Sequence, residues 1–313
     1  MKLGFVMDPL ESVNVNADTT FALMFGAQER GHEVFFIAPE SLLARGNQGY
    51  ATVFPVQLRR EQGSHFSFGE PEEVNLAIFD CLWMRKDPPF DETYLYEVGI
   101  LELAEEEGTL VMNRPQGLRA ANEKLYALHF PGAIPATMVS SQGSKIKEFM
   151  RAHEGKCVLK PLSGHGGEGI FVLEEGDRNL NTMIELSTHN GKRLVMCQEY
   201  LREAREGDKR IIMLDGKPLG AILRVPLEEE HRSNIHVGGT VEKTSLTERE
   251  KEICAQVGPR LVQDGLYFVG LDVIGGRLTE VNVTSPTGIQ EMSRLDGVDG
   301  SGKVIEWIEE RLG

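Results

Sequence analysis

Basic residues are scarce in this sequence of 313 residues. Lysine and arginine number 33 against 48 aspartates and glutamates, so the formal net charge is −15. Binding to nucleic acid needs a basic face that this composition does not supply, so we expect no nucleic-acid partner. No stretch approaches the roughly 20 apolar residues that cross a bilayer, so we expect no membrane partner either. The opening MKLGFVMDP turns acidic too quickly for a signal peptide and predicts a first strand.

Cysteine is also sparse. Cys81, Cys157, Cys197 and Cys254 are far apart, with no Cys-x-x-Cys pair. This spacing indicates reduced, mostly buried thiols in a cytoplasmic protein. Internal repeats and low-complexity tracts are absent from the sequence. Its apolar content of 41% and charged content of 26% are typical of a soluble globular protein that is long enough for two or three packed units.

Residues 1 to 122 alternate strand and helix signals. Apolar segments at LGFVM, EVFFIAP, NLAIFDCLWM and TLVMN predict strands; a helix capped near Asp18 and another over 92–107 separate them. Such alternation predicts a parallel, doubly wound sheet, in which ligands bind at the carboxyl ends of the strands. The loops DPLESVNVNADTT and MRKDPPF fall there. Arg85 and Lys86 in the second loop could bind a substrate carboxylate, or they could belong to an ordinary solvated loop.

A glycine-rich segment follows a change of pattern at residue 115. Pro115 predicts the start of a helix that includes Lys124. Further on, Gly164, Gly166 and Gly169 have the spacing G-x-G-x-x-G, but they lie between two predicted strands, whereas the dinucleotide fingerprint opens a helix. A glycine-rich loop between strands is instead suited to close over phosphates, and Lys160 is placed to reach them; the alternative is a flexible hairpin.

The next segments bring further charged residues to strand ends. Asp208 and Arg210 precede one predicted strand, and Arg224 ends another. The sequence predicts a long loop over residues 226–241 that contains Asn234, and a loop of this length without a regular pattern is uncommon unless it is a lid or disordered. The box Thr247-x-x-Glu250 predicts the start of a packing helix, and a last helix is expected over about 300–312.

The segment GLDVIGGRLTEVNVTSPTG, from 270 to 288, predicts a β-hairpin folded about Gly275 and Gly276. Glu280 and Asn282 are two residues apart, so they share a face of their strand. A two-residue loop would pair Asp272 with Thr279, whereas a three-residue loop would pair it with Glu280 and gather all three side chains. Two carboxylates and an amide oxygen suit Mg²⁺ or Mn²⁺, although a surface hairpin with solvated acids is the plain alternative.

These motifs, in this order, resemble the ATP-grasp ligases. The ordered set is Lys124, Lys160 with SGHGGEGI, QEYL, GDKR, Arg224, RSNIHVGG and GLDVIGGRLTEVNVTSPTG. Together with MKLGFVMDP, MRKDPPFD and NRPQGLRAANEKL, they are similar to the prokaryotic glutathione synthetase family over nearly the whole chain. The resemblance implies an ATP-grasp fold with an N-terminal substrate-binding domain (1–122) and an ATP-grasp domain (123–313). The latter would comprise a lid subdomain (about 124–201) and a C-terminal antiparallel subdomain (about 202–313).

The resemblance also implies an activity and the residues that carry it. The activity is ATP-dependent joining of γ-glutamylcysteine to glycine, giving glutathione, ADP and phosphate, commonly in a homotetramer. By this likeness Lys124 and Lys160 contact ATP phosphates under the loop with Gly164, Gly166, Gly167 and Gly169. Gln198, Tyr200 and Leu201 bind the adenine end, and Asp208 the ribose. Asp272, Glu280 and Asn282 hold two Mg²⁺ ions, Arg210 and Arg224 stabilise the acyl phosphate, and Arg85, Asn234, Ser285 and Thr287 bind substrate.

Two other functions fit the same motifs. The first is another ATP-grasp carboxylate–amine ligase with different amino-acid substrates. The second is a non-catalytic nucleotide-binding or regulatory protein that keeps the fold, although the intact metal-ligand set disfavours it. In either ligase a carboxylate must first be phosphorylated, because it is a poor electrophile at neutral pH, and the acyl phosphate must then be kept from water.

Overall fold

Three β-sheets organise the molecule, for which a computed structural model describes residues 1–163, 166–226 and 239–313. In that part of the chain no helix is long and apolar enough to cross a membrane. All four cysteines are buried and unbridged, as predicted. Short 3₁₀ helices connect the larger elements at Leu10–Ser12, Pro39–Ser41, Leu76–Ile78, Tyr126–His129 and Arg202–Arg205.

The N-terminal sheet has a parallel centre, as the strand and helix signals predict. Strands β1 (Lys2–Val6) and β2 (Glu33–Ile37) pair in parallel, and β1 also pairs in parallel with a later strand at Cys81–Met84, which pairs in parallel with one at Leu110–Met112. Helix α1 (Thr19–Glu29) packs on one face and α2 (Glu92–Glu106) on the other, so the sheet is doubly wound. Asp18 caps α1 by accepting a hydrogen bond from the backbone N–H of Phe21 at 2.6 Å.

Antiparallel strands that the sequence patterns did not predict extend this sheet at one edge. The added strands are β3 (Leu43–Arg45), β4 (Gln48–Leu58), β5 (Phe66–Phe68) and β6 (Glu72–Asn75). With the two later parallel strands numbered β7 (Cys81–Met84) and β8 (Leu110–Met112), the order is β3-β4-β2-β1-β7-β8, and β5 and β6 pair with β4. Along most of β4 buried residues alternate with more exposed ones, as expected for a strand with one face on the core.

Helix α3 (Pro115–Ala120) is shorter than predicted, so the prediction that Lys124 lies within it is wrong. The side-chain oxygen of Asn122 accepts hydrogen bonds from the backbone N–H groups of Lys124, at 3.2 Å, and Leu125, at 3.1 Å. These bonds offer the backbone a turn in place of another helical turn. Lys124 therefore lies in a turn that leads into the 3₁₀ helix at Tyr126–His129.

The central unit is an antiparallel sheet covered by two helices. It comprises β9 (Thr137–Ser140), α4 (Gly143–Ala152), β10 (Lys156–Pro161), β11 (Phe171–Glu174), α5 (Leu180–Ser187) and β12 (Val195–Glu199), with strand order β11-β10-β12-β9. As predicted, the glycine-rich segment connects two strands, β10 and β11. A core of its own, with Ile146, Leu159 and Leu173, holds this unit together.

The C-terminal sheet is also antiparallel. Its strands are β13 (Asp208–Leu214), β14 (Lys217–Val225), β15 (Thr240–Lys243), β16 (Phe268–Ile274) and β17 (Arg277–Asn282), in the order β15-β14-β13-β16-β17. Asp208 and Arg210 belong to β13 itself, whereas the sequence placed them before it. Helices α6 (Glu248–Gln263), α7 (Ile289–Asp296) and α8 (Gly300–Leu312) complete the unit. The capping box at Thr247 and Glu250 is present, as predicted.

Two hydrophobic cores join the N-terminal and C-terminal sheets. One contains Val6 and Leu82 together with Ile211 and Val269, and the other contains Phe5 together with Phe268. The central sheet shares neither core. The first and last sheets therefore form a continuous base, and the central unit packs as a separate body above the site described next.

Candidate active site

The hairpin that carries the predicted metal ligands combines features of both sequence alternatives. Gly275 and Gly276 form a two-residue turn with φ of +54° and +69°, a conformation that glycine adopts without steric strain. The strands then shift register, so that Val273 pairs with Leu278 but Asp272 pairs with Glu280. Thr279 is the extra residue of this bulge. Asp272, Glu280 and Asn282 consequently share one face of the hairpin. The pairing of Asp272 with Glu280, which was expected from a three-residue loop, is produced by a bulge in the strand.

Asp272 lies between two buried arginines. Its carboxylate accepts from Arg210 Nε at 2.5 Å and Nη2 at 3.1 Å, and lies 3.0 Å from Arg224 Nη2. Burial opposes ionisation of Asp272, but the two guanidinium groups outweigh it and hold the pKa of this carboxyl well below its usual range. Asp272 is therefore charged near neutral pH, and its carboxylate orients both arginines.

Arg224 is shared with a second carboxylate. Its Nη2 donates to Asp208 Oδ2 at 2.5 Å. Burial raises the pKa of Asp208 to about 6, with Arg224 opposing and Asp272 adding to the rise. Nε of Arg224 has no hydrogen-bond partner among the residues that the structure describes, although it is buried. A buried, unpaired guanidinium N–H at the wall of a cavity is suited to an anionic ligand.

Two lysines reach the same hairpin from other units. Lys124 Nζ lies 3.8 Å from Glu280 Oε1, and Lys160 Nζ, at the end of β10, lies 3.9 Å from the same atom. Lys124 also pairs with Glu123 at 2.5 Å. Burial alone would lower the pKa of Lys124, but Glu280 and Glu123 outweigh it and raise that pKa, so the ammonium group stays charged. No pattern in the sequence singles out Glu123.

One cavity of about 990 Å³ contains most of the predicted residues. From the predicted nucleotide end to the predicted substrate end its walls include Gln198, Tyr200, Leu201, Asp208, Lys124, Lys160, Gly166, Gly167, Arg210, Arg224, Asp272, Glu280, Asn282, Arg85, Ser285 and Thr287. These residues come from all three sheets. The cavity thus opens where the central unit faces the shared base.

The glycine loop is described only in part. Gly166, Gly167 and Gly169 have φ of +60°, +82° and +70°, so the loop uses backbone conformations that side chains disfavour. Gly166 and Gly167 line the cavity, whereas Gly169 is not among its lining residues. A Cβ on Gly169 would meet Pro161 Cγ at 3.2 Å, so its role in this structure is close packing on β10. Gly164 lies outside the described residues.

Three of the predicted substrate-binding residues are brought together by the loops after β7 and β17. Arg85 is buried; it donates to Thr20 Oγ1 at 3.0 Å and to the carbonyl of Pro286 at 3.1 Å. Ser285 Oγ donates to Asp87 at 2.6 Å, and Arg210 donates to the carbonyl of Thr287 at 3.1 Å. The fourth, Asn234, lies outside the described residues, as does most of the predicted loop over 226–241. The end of that prediction is wrong, because Thr240 and Val241 belong to β15, where they pair with β14.

Several acids that line the cavity are not among the site residues predicted from the sequence. They are Asp8, Asp18, Asp87, Glu123, Glu168, Glu199 and Glu291. Only Asp18 carried a signal, and that signal was for a helix cap. The others sit singly in loops or at element ends, where a lone acid is most often solvated, and only the packing of three units brings them to one wall.

The donor set on the hairpin fits divalent cations. Hard oxygen ligands of this kind suit Mg²⁺ or Mn²⁺. No cluster of three or more His, Cys, Asp or Glu able to hold a metal occurs within 1–163, 166–226 and 239–313, so the amide of Asn282 is needed to complete the set. Asn282 Nδ2 donates to Asp272 Oδ2 at 3.2 Å, which fixes the amide beside the carboxylate.

Charge balance supports the same fit. Four cations at the hairpin, Lys124, Lys160, Arg210 and Arg224, are matched by four carboxylates, Glu123, Asp208, Asp272 and Glu280. Within the part of the chain that the structure describes, this balanced group has no surplus positive charge to set against an entering triphosphate. Divalent cations held by the hairpin would supply it.

The arrangement of sheets recurs in solved ATP-grasp structures. The D-cycloserine synthetase DcsG superposes with a TM-score of 0.70 at 15% identity, covering 100% of both chains. The ATP-grasp ligase PsnB, complexed with minimal precursor, Mg and ADP, gives a TM-score of 0.64 at 18% identity, covering 99% of this chain and 97% of that one. At these identities the likeness concerns the fold, and the predicted ATP-grasp fold is confirmed.

Sequence similarity then defines the family. Residues 1–119 match the N-terminal domain of prokaryotic glutathione synthetase, and residues 123–297 match its ATP-grasp domain. A glutathione synthetase from Synechocystis sp. is 49% identical over 321 residues, covering 100% of both chains. One from Vibrio cholerae is 44% identical over 313 residues, covering 100% of this chain and 98% of that one. The chain belongs to the prokaryotic glutathione synthetase family, as predicted, and is an ATP-grasp ligase.

Proposed function

We propose that this protein joins γ-glutamylcysteine to glycine at the expense of ATP and releases glutathione, ADP and phosphate. The observation that carries the proposal is the meeting of two lysines, two arginines and the hairpin of Asp272, Glu280 and Asn282 in one cavity. A site of this kind is suited to bind a nucleoside triphosphate and an acceptor carboxylate side by side.

The nucleotide is assigned to the cleft between the central and C-terminal sheets. Lys160 and Lys124 would contact its phosphates, with Gly166 and Gly167 covering them. Gln198, Tyr200 and Leu201 would line the adenine pocket at the end of β12, with Asp208 near the ribose. Lys156 Nζ stacks 4.5 Å from the ring centroid of Tyr200, which fixes that ring at the pocket wall.

Phosphoryl transfer to the cysteinyl carboxylate is the first chemical step. It brings two anions together, so it needs fixed positive charge at the reacting oxygens. Arg210 and Arg224 are held in place by Asp272, and the unpaired Nε of Arg224 remains to donate to the new acyl phosphate. Mg²⁺ or Mn²⁺, in a pair held by Asp272, Glu280 and Asn282, would neutralise phosphate charge and align the triphosphate when bound.

Attack by the glycine amine is the second step. The amine displaces phosphate from the acyl carbon and forms the peptide bond, while one proton is lost from the nitrogen. Water would compete for the same intermediate, so the site must be covered. The glycine loop between β10 and β11 and the segment 226–241 are assigned this task, with Asn234 as a substrate contact.

Arg85 is assigned to a carboxylate at the far end of the peptide substrate. It is 3% exposed, and its Nη1 has no partner in the described part of the chain. Ser285 and Thr287, on the loop that Arg85 and Arg210 hold through backbone carbonyls, would complete this end of the pocket.

Phosphate release measures the proposed function. The purified protein with ATP and Mg²⁺ should release phosphate only when γ-glutamylcysteine and glycine are both present, and glutathione should form in equal amount. Replacement of glycine by alanine, or of the dipeptide by cysteine, should lower the rate by about 100-fold or more. A site whose buried polar groups pair with its substrate discriminates strongly against other substrates. Equal rates with other amino-acid pairs would indicate a different ligase, and no turnover with any pair would indicate a nucleotide-binding protein.

We further propose a cytoplasmic homotetramer. The composition and the four reduced, buried thiols favour the location. Sedimentation velocity at micromolar concentration should give a single species of four chains of 34.8 kDa, and a monomer would contradict this part of the proposal.

A further inference from the structure

The loop after β1 forms one wall of the cavity at the end marked by Arg85. It lines the cavity with Ser12, Val13, Asn14 and Asp18, among others. Its own backbone bonds are short turns, such as Val13 N–H to the Leu10 carbonyl and Asp18 N–H to the Asn14 carbonyl. Turns of this kind shape the loop but do not place it relative to the rest of the molecule.

Gln62 holds the middle of this loop. Its Oε1 accepts from the backbone N–H of Val15 at 3.0 Å, and its Nε2 donates to the carbonyl of Val13 at 3.0 Å. The side-chain amide therefore pairs with the loop as a neighbouring strand would, through one donor and one acceptor. Val13 and Val15 are buried, so these backbone groups need partners.

Gln290 holds the same loop from the opposite side. From the first turn of α7, its Nε2 donates to the carbonyls of Val15 at 3.2 Å and Asp18 at 2.6 Å. Its Oε1 accepts from Arg60 Nη1 at 3.1 Å, and this bond fixes which end of the amide faces the loop. Both polar groups of the Val15 residue are thus bound by glutamine side chains from distant parts of the sequence.

Gln290 also links two walls of the pocket. Helix α7 begins directly after the segment that contains Ser285 and Thr287, so Gln290 ties that segment to the loop after β1. Asp18, whose carbonyl Gln290 binds, caps α1 with its side chain. A shift of this amide would therefore displace the start of α1 and both walls together.

We propose that Gln62 and Gln290 are positioning residues for the peptide substrate, and that they act by holding the loop after β1 against the pocket. They do not touch the reacting atoms. The glutamine amide presents a donor and an acceptor on separate atoms at these places; a carboxylate would repel the loop carbonyls, and an apolar side chain would leave them unpaired. This inference rests on the proposed ligase function. It predicts a change in binding of the dipeptide and not of ATP, which lies against other elements.

The test compares Gln290→Met and Gln62→Met with Gln57→Met, a control at an exposed glutamine of β4 outside the cavity. Methionine has nearly the length of glutamine and lacks its donor. For Gln290→Met the KM for γ-glutamylcysteine should rise about tenfold, the change expected from the loss of the two modest hydrogen bonds that Gln290 donates to the loop. Gln62→Met, at an exposed turn, should raise it about threefold. The KM for ATP should stay within about twofold in both, and Gln57→Met should match the parent protein.

The outcomes separate the two proposals. If the parent protein and Gln57→Met show no phosphate release that depends on the dipeptide, the ligase function is wrong. If they are active and the KM for the dipeptide is unchanged in both loop variants, the positioning role is wrong. Equal rises in the KM values for dipeptide and ATP would show general loosening of the fold and would also overturn it. If Gln290→Met does not fold, Gln62→Met alone decides, because its side chain is at the surface.

Discussion

Single substitutions of Asp272 and of Glu280 should differ in their effect on stability and agree in their effect on catalysis. Both are predicted metal ligands on paired strands, but their surroundings differ. Asp272 is held by Arg210 and Arg224 at 2.5 and 3.0 Å, whereas the lysines nearest Glu280 are 3.8 and 3.9 Å away. Asp272→Asn removes the charge between the two arginines and should be strongly destabilising. Glu280→Gln should be nearly neutral for the fold.

The expected magnitudes follow from burial. Removing one partner of a buried ion pair costs about 3 to 5 kcal/mol, and Asp208 still compensates Arg224, so we take the lower value, about 3 kcal/mol. For a unit of this size that is a fall in Tm of roughly 6 to 12 °C. For Glu280 the attraction of two lysines is offset by repulsion from Glu123 and Asp208, so the Tm should change by less than about 2 °C.

Two assays with one control test this pair. Thermal unfolding without nucleotide or metal gives the stability change, and the coupled phosphate assay gives turnover, which should fall by about 100-fold or more in both variants. Glu242→Gln, at an exposed position on β15, serves as the control and should change neither value. Equal Tm values for Asp272→Asn and Glu280→Gln would refute the assignment of Asp272 as the buried counter-ion. Full turnover in Glu280→Gln would refute the assignment of the metal site.

Three further changes should have distinct effects. Gly117→Ala should lower the Tm by roughly 4 to 8 °C, because the new Cβ would overlap the carbonyl oxygen of Asp264; a melt unchanged from the parent would contradict this packing. Arg30 holds the pKa of Glu309 at about 2, so the pair adds stability above the ordinary carboxyl pKa and loses it as the pH falls towards 2. The Tm difference between parent and Glu309→Gln should therefore be largest at neutral pH and shrink in acid, and a constant difference would contradict the ion pair. Lys160→Met should raise the KM for ATP by about tenfold or more and leave the fold intact. An unchanged KM for ATP would contradict the assignment of Lys160 to the phosphates.

Local patterns in the sequence were sufficient for many of the elements. The cap at Asp18, the helix over 92–107 and the capping box at Thr247 each follow from a few neighbouring residues, and the structure contains all three. The glycine loop between two strands was also recognisable, because strand signals on both sides exclude the helix that a dinucleotide fingerprint needs. Elements that depend on neighbours in sequence were therefore predictable.

Predictions failed where a side chain or a distant strand competed with the local pattern. The helix from Pro115 ends at Ala120 because Asn122 binds the next backbone N–H groups. The antiparallel strands over 43–75 show little alternation of apolar and polar residues outside β4, and they form by pairing with β2 and β4. These outcomes depend on interactions that no single window of the sequence contains.

The sequence alone determined the family and most of the larger elements, and it predicted which side chains to expect at the candidate site, because long motifs with fixed residue types carry that information. Only the tertiary structure decided how those side chains meet. A bulge at Thr279 places Asp272 opposite Glu280, and Glu123 joins Lys124 beside them. Strand register and the packing of separate units depend on contacts between residues far apart in the chain, so the geometry of the site emerges only when the three sheets come together.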